Sequence, residues 1–331
     1  MTSTVWLLAP APASANDSTA ELTTGGLVFA RTPDVEMRAE DLFISEKEVR
    51  VRYRFFNASP TDVASLVAFP MPDVVWEGPD VNIAIPPDDP ENFLDFHTLA
   101  DGRAVAAEIE QKVIANGVDR TARLRALGIP LAPQRAQATA ALDALPPAKQ
   151  AELLDLKLAT PDDYDVGKGM EHHLDPNWAL KSTYFWRQTF PAGREIVIEH
   201  RYRPSVGETV GTQLGSPDIE RQSLEHYEAT YCTDRDFLNS ARRAMSKPDA
   251  YSVASSPFFE RRISYVLTTG ANWAGPIGDF HLVVDKGAPD SLVSFCGDGV
   301  RKIGPTQFEL RHANFKPSRD LNVLILYRRK G

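Results

Sequence analysis

The densest group of residues that could bind a metal ion is Glu171, His172 and His173. Carboxylate oxygen and imidazole nitrogen atoms are ligands for zinc and copper, so on a loop these side chains could form a metal site. Adjacent side chains of an extended segment point in opposite directions, so only one of the two histidines would face a given site. The competing interpretation is a polar loop that precedes a buried Trp178.

Other local signs of catalysis are weak. The sequence has no glycine-rich phosphate loop, no HExxH pair and no GxSxG segment. Asp162, Asp163 and Asp165 resemble the start of a calcium-binding loop, but the closing glutamate is missing, so a turn is favoured. His200 shares a strand face with Ile198, which predicts a hydrogen-bonded core histidine. We therefore predict no catalytic residue and no cofactor, although a triad assembled in space stays open.

Aromatic side chains supply the candidates for ligand binding. Exposed aromatic residues on a β-sandwich bind sugar rings or protein partners. Trp273 lies in a turn and is the main candidate for an exposed functional side chain. Tyr184 and Trp186 lie on one face of a predicted strand, with Phe185 on the other face. Packing in the core is the alternative for each of them.

Composition limits the class of partner. The chain has 331 residues, 43% hydrophobic and 24% charged, which is typical of a globular protein with room for two cores. The formal net charge of -9 argues against nucleic acid as a partner, because phosphate binding needs a basic surface. Arginines do recur at alternating positions, and we interpret them as a solvated sheet face. These arginines are Arg50, Arg52, Arg54, Arg201 and Arg203.

The first residues predict export. Residues 5–9 are apolar, and Ala13 and Ala15 are small residues that suit cleavage after Ala15. The segment is short and has no Lys or Arg, so residues 1–15 are interpreted as a signal-peptide remnant, and a misassigned start stays open. No other stretch has the apolar length to span a bilayer. We therefore expect a periplasmic or secreted protein without a membrane span after cleavage.

The two cysteines agree with export. An even number of cysteines in an exported chain favours one disulfide, here between Cys232 and Cys296. Two buried thiols in a cytosolic protein are the alternative. Neither residue belongs to a CxxC motif of a redox or zinc site.

Hydrophobic periodicity predicts a mainly β fold with an α insertion. Residues 49–55 alternate between apolar residues and arginine, which predicts a half-buried antiparallel strand. Residues 184–207 predict a β-hairpin around the turn Pro191-Ala192-Gly193. A helix is predicted for residues 101–116 because apolar residues recur there every four positions, and further helices are predicted between residues 119 and 155.

These elements predict two antiparallel β-sandwich-like domains, of which the first is interrupted by a helical segment. The division predicted is a signal-peptide remnant at 1–15, an N-terminal β-sandwich at 16–96 and 176–210, a helical insertion at 97–175, and a C-terminal β-sandwich with one short helix at 211–331.

Four phrases of the sequence resemble one family. They are GGLVFARTPDVEMRAEDLFISEKEVRVRYRFFN from Gly25, LVAFPMPD from Leu66, YFWRQTFPAGREIVIEHRYRPSVG from Tyr184 and NWAGPIGDFHLVVDKG from Asn272. The chain resembles the bacterial exported family of unknown function DUF 4424 over nearly all of its length. The resemblance implies export and supplies no catalytic or binding residues.

Two functions therefore remain open. The preferred hypothesis is a non-enzymatic periplasmic module that binds a partner protein or an envelope glycan. The alternative is a periplasmic hydrolase or metal-dependent enzyme that uses the region of His172 and His173.

Overall fold

The structure is a computed structural model, and it describes residues 17–24, 26–76, 81–84, 92–134, 136–165, 167–209, 211–217, 219–244 and 256–329. The predicted signal-peptide remnant at 1–15 lies outside the described residues. The described chain forms two compact units. Unit 1 contains residues 72–76 and 111–182, and unit 2 contains the described residues before, between and after these segments.

Strands dominate the chain. They are β1 (Ser18–Thr23), β2 (Gly26–Ala30), β3 (Val35–Ile44), β4 (Val49–Asn57), β5 (Val63–Pro70), β6 (Val74–Val75), β7 (Val81–Ala84), β8 (His97–Ala100), β9 (Arg103–Val105), β10 (Glu108–Ala115), β11 (Val118–Asp119), β12 (Ala159–Asp165), β13 (Met170–Pro176), β14 (Ala179–Phe190), β15 (Glu195–Tyr202), β16 (Val206–Thr209), β17 (Phe258–Tyr265), β18 (Ile277–Asp285), β19 (Leu292–Phe295), β20 (Arg301–Lys302), β21 (Gln307–Phe315) and β22 (Leu321–Arg328). The helices are α1 (Thr121–Ala126), α2 (Ala136–Asp143), α3 (Pro147–Asp155), α4 (Arg221–Tyr231) and α5 (Arg235–Ala244), with a 3-10 helix at Thr268–Asn272.

Unit 2 contains an eight-stranded sheet with the order β20-β21-β18-β3-β4-β15-β8-β9. Its neighbours are antiparallel except for β3 and β18, which are parallel. A five-stranded sheet has the order β19-β22-β17-β16-β7, and β2, β1, β5 and β14 pair in that order. The predicted fold class, mainly β with β-sandwich-like sheets and a few helices, is confirmed.

Alternation along the strands separates core from surface, as predicted for residues 49–55. Val51, Tyr53 and Phe55 of β4 are buried, whereas Arg50 and Arg52 between them are exposed. One face of the eight-stranded sheet therefore packs in the core, and the other face carries charged side chains.

The predicted hairpin at residues 184–207 is wrong. β14 pairs with β5, whereas β15 pairs with β4 and β8, so the turn connects strands of two different sheets. The buried Asn57 holds this connection, because its side-chain amide donates to the Phe190 carbonyl and its own carbonyl accepts from the Gly193 amide. A strand-turn-strand pattern predicts two strands and a turn, but it does not fix which strands pair.

Helix prediction succeeded in one segment and failed in another. Three helices, α1 to α3, lie in the segment 119–155 as predicted. Residues 101–116 are not helical, because they form β9 and β10. Apolar residues four positions apart share a face of a helix, but they also share a face of a strand, because four is a multiple of two. The helix α4 was not predicted.

Unit 1 has its own hydrophobic core. Leucine side chains of all three of its helices, among them Leu124, Leu142 and Leu153, pack with Trp178. The Trp178 indole donates a hydrogen bond to the Leu131 carbonyl over 2.8 Å. The domain boundaries at residues 96, 175 and 210 remain predictions. The paired strands β3 and β18 belong to different predicted sandwiches. Among the described helices, none is long and apolar enough to cross a membrane.

A disulfide joins Cys232, which follows α4, to Cys296, which follows β19, with 5.0 Å between their Cα atoms. The bond connects residues 64 positions apart. Both cysteines lie in unit 2, where Ser294 also bonds the Tyr231 carbonyl. The disulfide therefore fastens helix α4 to the five-stranded sheet.

Replacing both cysteines by serine should lower the free energy of unfolding by about 4 kcal/mol, because the unfolded chain loses a constraint on a loop of this length. Denaturant unfolding under non-reducing conditions measures the change. Dithiothreitol should lower the unfolding midpoint of the wild type and leave the variant's midpoint unchanged. Equal midpoints for the wild type and the variant would contradict the prediction.

Candidate functional site

The metal candidates lie on a strand and not on a loop. His172 and His173 belong to β13, which pairs with β12 so that Asp163 is opposite His172. This placement also corrects the predicted turn at Asp162, Asp163 and Asp165, which lie in β12. The two histidines point to opposite faces, as expected for adjacent residues of a strand. The His172 side chain is 76% exposed and that of His173 is 28% exposed.

Carboxylates bind both histidine rings. The Nδ1 atom of His172 lies 2.9 Å from Asp163, and that of His173 lies 2.7 Å from Asp143 of α2. The other ring nitrogen of His173 lies 3.3 Å from Glu171. Within the described residues, no group of three or more His, Cys, Asp or Glu side chains is arranged to hold a metal ion. The geometry thus assigns His173 to the attachment of α2 to β13.

The aromatic candidates are buried. Trp273 is 3% exposed, Trp186 is 2% exposed and Tyr184 is 3% exposed. The indole of Trp273 donates to the Asp17 carbonyl, and its ring centroid lies 4.3 Å from that of Phe55. The expectation of an exposed Trp273 is therefore wrong. A turn can direct its side chain into the core as readily as into solvent, and the sequence alone does not decide between the two.

Tyr184 and Trp186 belong to the core-facing side of β14. The Tyr184 ring stacks on Phe96 at a centroid distance of 4.2 Å, and its hydroxyl donates to Asn92 over 2.8 Å. Trp186 contacts His200 edge-on, with 5.3 Å between the ring centroids. These contacts make neither side chain part of an exposed aromatic platform.

His200 is a core histidine, as predicted. Its Nε2 atom lies 3.0 Å from Asp17, and both side chains are fully buried. Burial raises the pKa of the Asp17 carboxyl, an effect that the neighbouring His200 partly offsets. Nearby, the hydroxyl groups of Tyr53 and Tyr265 lie 2.9 Å apart. A substrate in solvent does not reach the buried pair of His200 and Asp17.

The outer face of the eight-stranded sheet carries the candidate binding site. A cavity of about 720 Å³ lies there, entirely within unit 2. We call it the arginine groove and define it by Phe43, Arg50, His97, Leu99, Arg201 and Val283, which line it. A further concavity of about 500 Å³ shares Phe43 and Arg201 with this groove. Five strands supply these side chains, so the groove depends on the order of strands in the sheet.

Strand register sets the neighbours within the groove. One row across the sheet places Val283, Phe43, Arg50, Arg201 and His97 opposite one another in that order. These five residues alternate with core residues along their strands, so their side chains share the outer face. Two arginines therefore lie directly opposite each other beside an aromatic and an aliphatic side chain.

The adjacent row contains two acidic residues and one arginine. It contains His281, Asp41, Arg52, Glu199 and Leu99 in the same strand order. Arg52 lies 3.4 Å from Glu199, and His281 lies 3.2 Å from Asp41. The two rows thus differ in charge, since the first has arginine where the second has an acidic partner.

The two groove arginines differ in their support. The guanidinium of Arg50 lies 4.6 Å from the centre of the Phe43 ring and 3.2 Å from Glu48. Arg201 is exposed and makes no ion pair within the part of the chain that the structure describes. From the sequence alone these arginines are interpreted as a solvated face, and Phe43, Leu99 and Val283 carry no signal of a site. Alternation did place the arginines outward, but their pairing required the register.

The fold and groove define a mainly β protein with sandwich-like sheets and a surface cavity on one sheet. The chain belongs to the family described as Domain of unknown function (DUF4424), whose sequence model matches residues 15–324. This match confirms the family resemblance found in the sequence.

Comparison with solved structures finds distant similarities. One similar structure is the crystal structure of a protein from Legionella pneumophila subsp. pneumophila str. Philadelphia 1, provisionally described as a nutrient binding protein. It is 16% identical to this chain, with a TM-score of 0.45, and the alignment covers 94% of this chain and 70% of the other. None of the curated proteins matches the sequence.

The pH dependence of stability should report the contact of His173. Its hydrogen bonds to Asp143 and Glu171 raise the pKa of His173 above the ordinary 6.5. A raised pKa in the folded state means that the stabilisation is fully present below pH 6.5 and is lost as the pH rises through the folded pKa. Denaturant unfolding between about pH 5.5 and about pH 8.5, a range that brackets the ordinary pKa of histidine, measures this loss.

His173→Gln should flatten this dependence, whereas the control His172→Gln, on the opposite face of β13, should keep it. An unchanged pH profile in His173→Gln would contradict the assignment of His173 to the α2–β13 contact.

Proposed function

We propose that the protein is an exported, non-enzymatic binding module that holds a small molecule in the arginine groove. The observation that carries this proposal is the cavity of about 720 Å³ on the sheet face, with its apolar lining and two adjacent arginines. Sites for small molecules occupy about 300–1,000 Å³ and combine apolar walls with a few polar groups. The volume and lining of the groove fall within this description.

Burial of the aromatic candidates changes which partner we favour. A glycan or a protein partner was expected because Trp273, Trp186 and Tyr184 could form an exposed platform. With these rings in the core, the groove is the better-supported site, and a small molecule suits its size. A protein or an envelope glycan then becomes an alternative outcome of the experiment.

The enzyme hypothesis has less support from the geometry. His172 and His173 point to opposite faces, and each ring contacts carboxylates of its own unit. The carboxylates and histidines that line the arginine groove are in ion pairs, Glu199 with Arg52, His281 with Asp41 and His97 with Asp95. A binding role needs only the cavity and its charges.

The proposed location is the periplasm or the exterior of the cell. The disulfide between Cys232 and Cys296 supports it, because such bonds form and persist in oxidising compartments. The apolar start of the sequence, followed by small residues, is a second argument from the residues themselves.

Filling the groove tests the proposal. The full chain, purified with its disulfide, is examined by native mass spectrometry for a bound small molecule and by thermal shift against a panel of metabolites. A ligand present at 100 times its Kd should stabilise the fold by about 2.7 kcal/mol. Leu99→Trp, which puts an indole into the groove, should abolish this shift.

Val197→Trp is the matched control, because Val197 is also a half-buried aliphatic residue on the outer face, but it does not line the groove. This variant should keep the ligand-induced shift. The proposal fails if Leu99→Trp binds as well as the wild type, or if only a protein or a glycan is captured from the periplasm. Stoichiometric metal in the purified protein, lost in His172→Ala, would instead support the enzyme.

A further inference from the structure

We infer that the ligand of the arginine groove is a small amphipathic oxyanion: a carboxylate or phosphate group joined to an apolar body. This inference rests on the proposed function and names the chemistry of its ligand. It comes from the strand register, the ion pairs and the position of the apolar side chains.

The opposed arginines are the first argument. Arg50 of β4 and Arg201 of β15 are direct cross-strand partners, and His97 of β8 follows Arg201 in the same row. Side chains directly opposite each other in an antiparallel pair have Cβ atoms about 4.5–5.5 Å apart, and like charges at that distance oppose pairing of the strands. An anion between the two guanidinium groups would replace this repulsion with attraction.

The remaining arginines of β4 show the contrast. Arg52 lies 3.4 Å from Glu199 and Arg54 lies 3.7 Å from Glu195, so both have an acidic partner on β15. Only the Arg50 position of this ladder meets another arginine, and Arg201 has no ion pair among the described residues. Arg50 itself lies 3.2 Å from Glu48, so among the described residues the arginine of this ladder without an acidic partner is Arg201, in the groove.

Among the described residues, most charges around the groove are paired, and Arg201 is the exception. The cavity is lined by three arginines and two carboxylates, and two further carboxylates contact lining residues from outside it, Glu48 at Arg50 and Asp95 at His97. Nearby charges act more strongly than distant ones, which salt screens beyond about 8 Å at physiological ionic strength. The attraction for an anion therefore comes from Arg201, the lining arginine that has no carboxylate partner among the described residues.

The shape of the head group follows from the arginines. A guanidinium presents its N–H donors in a planar fork that matches a carboxylate or a phosphate. The Phe43 ring lies 4.6 Å from the Arg50 guanidinium, so stacking limits the positions that this fork adopts. An oxyanion is the group that two such forks bind best.

Apolar side chains indicate the body of the ligand. Phe43 and Val283 follow Arg50 in the row, on the side away from Arg201. Strands lie about 4.8 Å apart, so the row from Arg201 to Val283 extends over about 14 Å. A head group at Arg50 and Arg201 would leave an apolar chain of several carbon atoms on Phe43 and Val283.

Titration calorimetry on the full, disulfide-bonded chain tests the inference with four probes of equal chain length: octanoate, octyl phosphate, octanol and octylamine. We expect at least one of the two anions to bind, more weakly at high salt, and octanol and octylamine to bind at least tenfold more weakly. Comparison of octanoate with octyl phosphate identifies the preferred head group.

Arg201→Gln and Arg50→Gln should each weaken anion binding at least tenfold. The control Arg54→Gln removes an arginine from the same strand and face outside the groove lining, and it should change the Kd less than twofold. Thermal unfolding confirms that each variant is folded. If Arg201→Gln does not fold, Arg201→Lys, which keeps the charge, provides a second variant.

Three results would overturn the inference. Octanol that binds as tightly as the anions would show that charge is not recognised. Equal losses in Arg54→Gln and Arg201→Gln would show general attraction to a basic face. Failure of both anions to bind the wild type would exclude this ligand class, and the proposed function would survive only if another ligand gives the Leu99→Trp-sensitive thermal shift.

Discussion

The parallel pairing of β3 with β18 is the constraint on which the large sheet depends. It joins residues about 240 positions apart, from Asp279 opposite Ala39 to Val284 opposite Ile44. At its start the two backbones approach closely, because a Cβ atom at Gly278 would lie 2.6 Å from the Arg38 carbonyl oxygen. Glycine at this position therefore permits the pairing. Without the pairing of β3 with β18, Val283 would not lie beside Phe43, and the arginine groove would lose one wall.

The same strands connect the groove to the core. β15 turns His200 and Tyr202 inward and Arg201 outward, so a shift of its register by one residue would exchange core and groove side chains. The inward residues fix that register, since His200 meets the buried Asp17 at 3.0 Å. Trp273 in turn bonds the Asp17 carbonyl. The buried polar contacts thus hold the arginines of the outer face at defined positions.

The sequence was informative where one strand or helix decides the outcome. Alternation identified the buried Tyr53 and Phe55 and the exposed Arg50 and Arg52, and the even cysteine count predicted the bond between Cys232 and Cys296. Prediction from the sequence failed where pairing with strands distant in the chain decides the structure. β10 was read as a helix because its apolar spacing suits both structures, and β14 and β15 were read as a hairpin although each pairs with a different strand. The groove belongs to this second kind, because alternating arginines are visible in the sequence and their juxtaposition is not.

A purely solvated face would not require the arrangement found in the groove. Cross-strand neighbours of opposite charge stabilise a sheet, and this ladder uses them at Arg52 and Arg54. Opposite Arg50 the cross-strand partner is Arg201, and Arg50 pairs with Glu48 instead, so Arg201 has no ion pair among the described residues. Sites that bind ligands commonly sacrifice stability for function, because the groups that recognise the ligand are unsatisfied without it. The adjacent Phe43 and Val283 add apolar surface to the groove, and the apolar body of a bound ligand would cover it. An arginine without an ion pair among the described residues and two half-exposed apolar side chains in one cavity are the features that support the proposed ligand site.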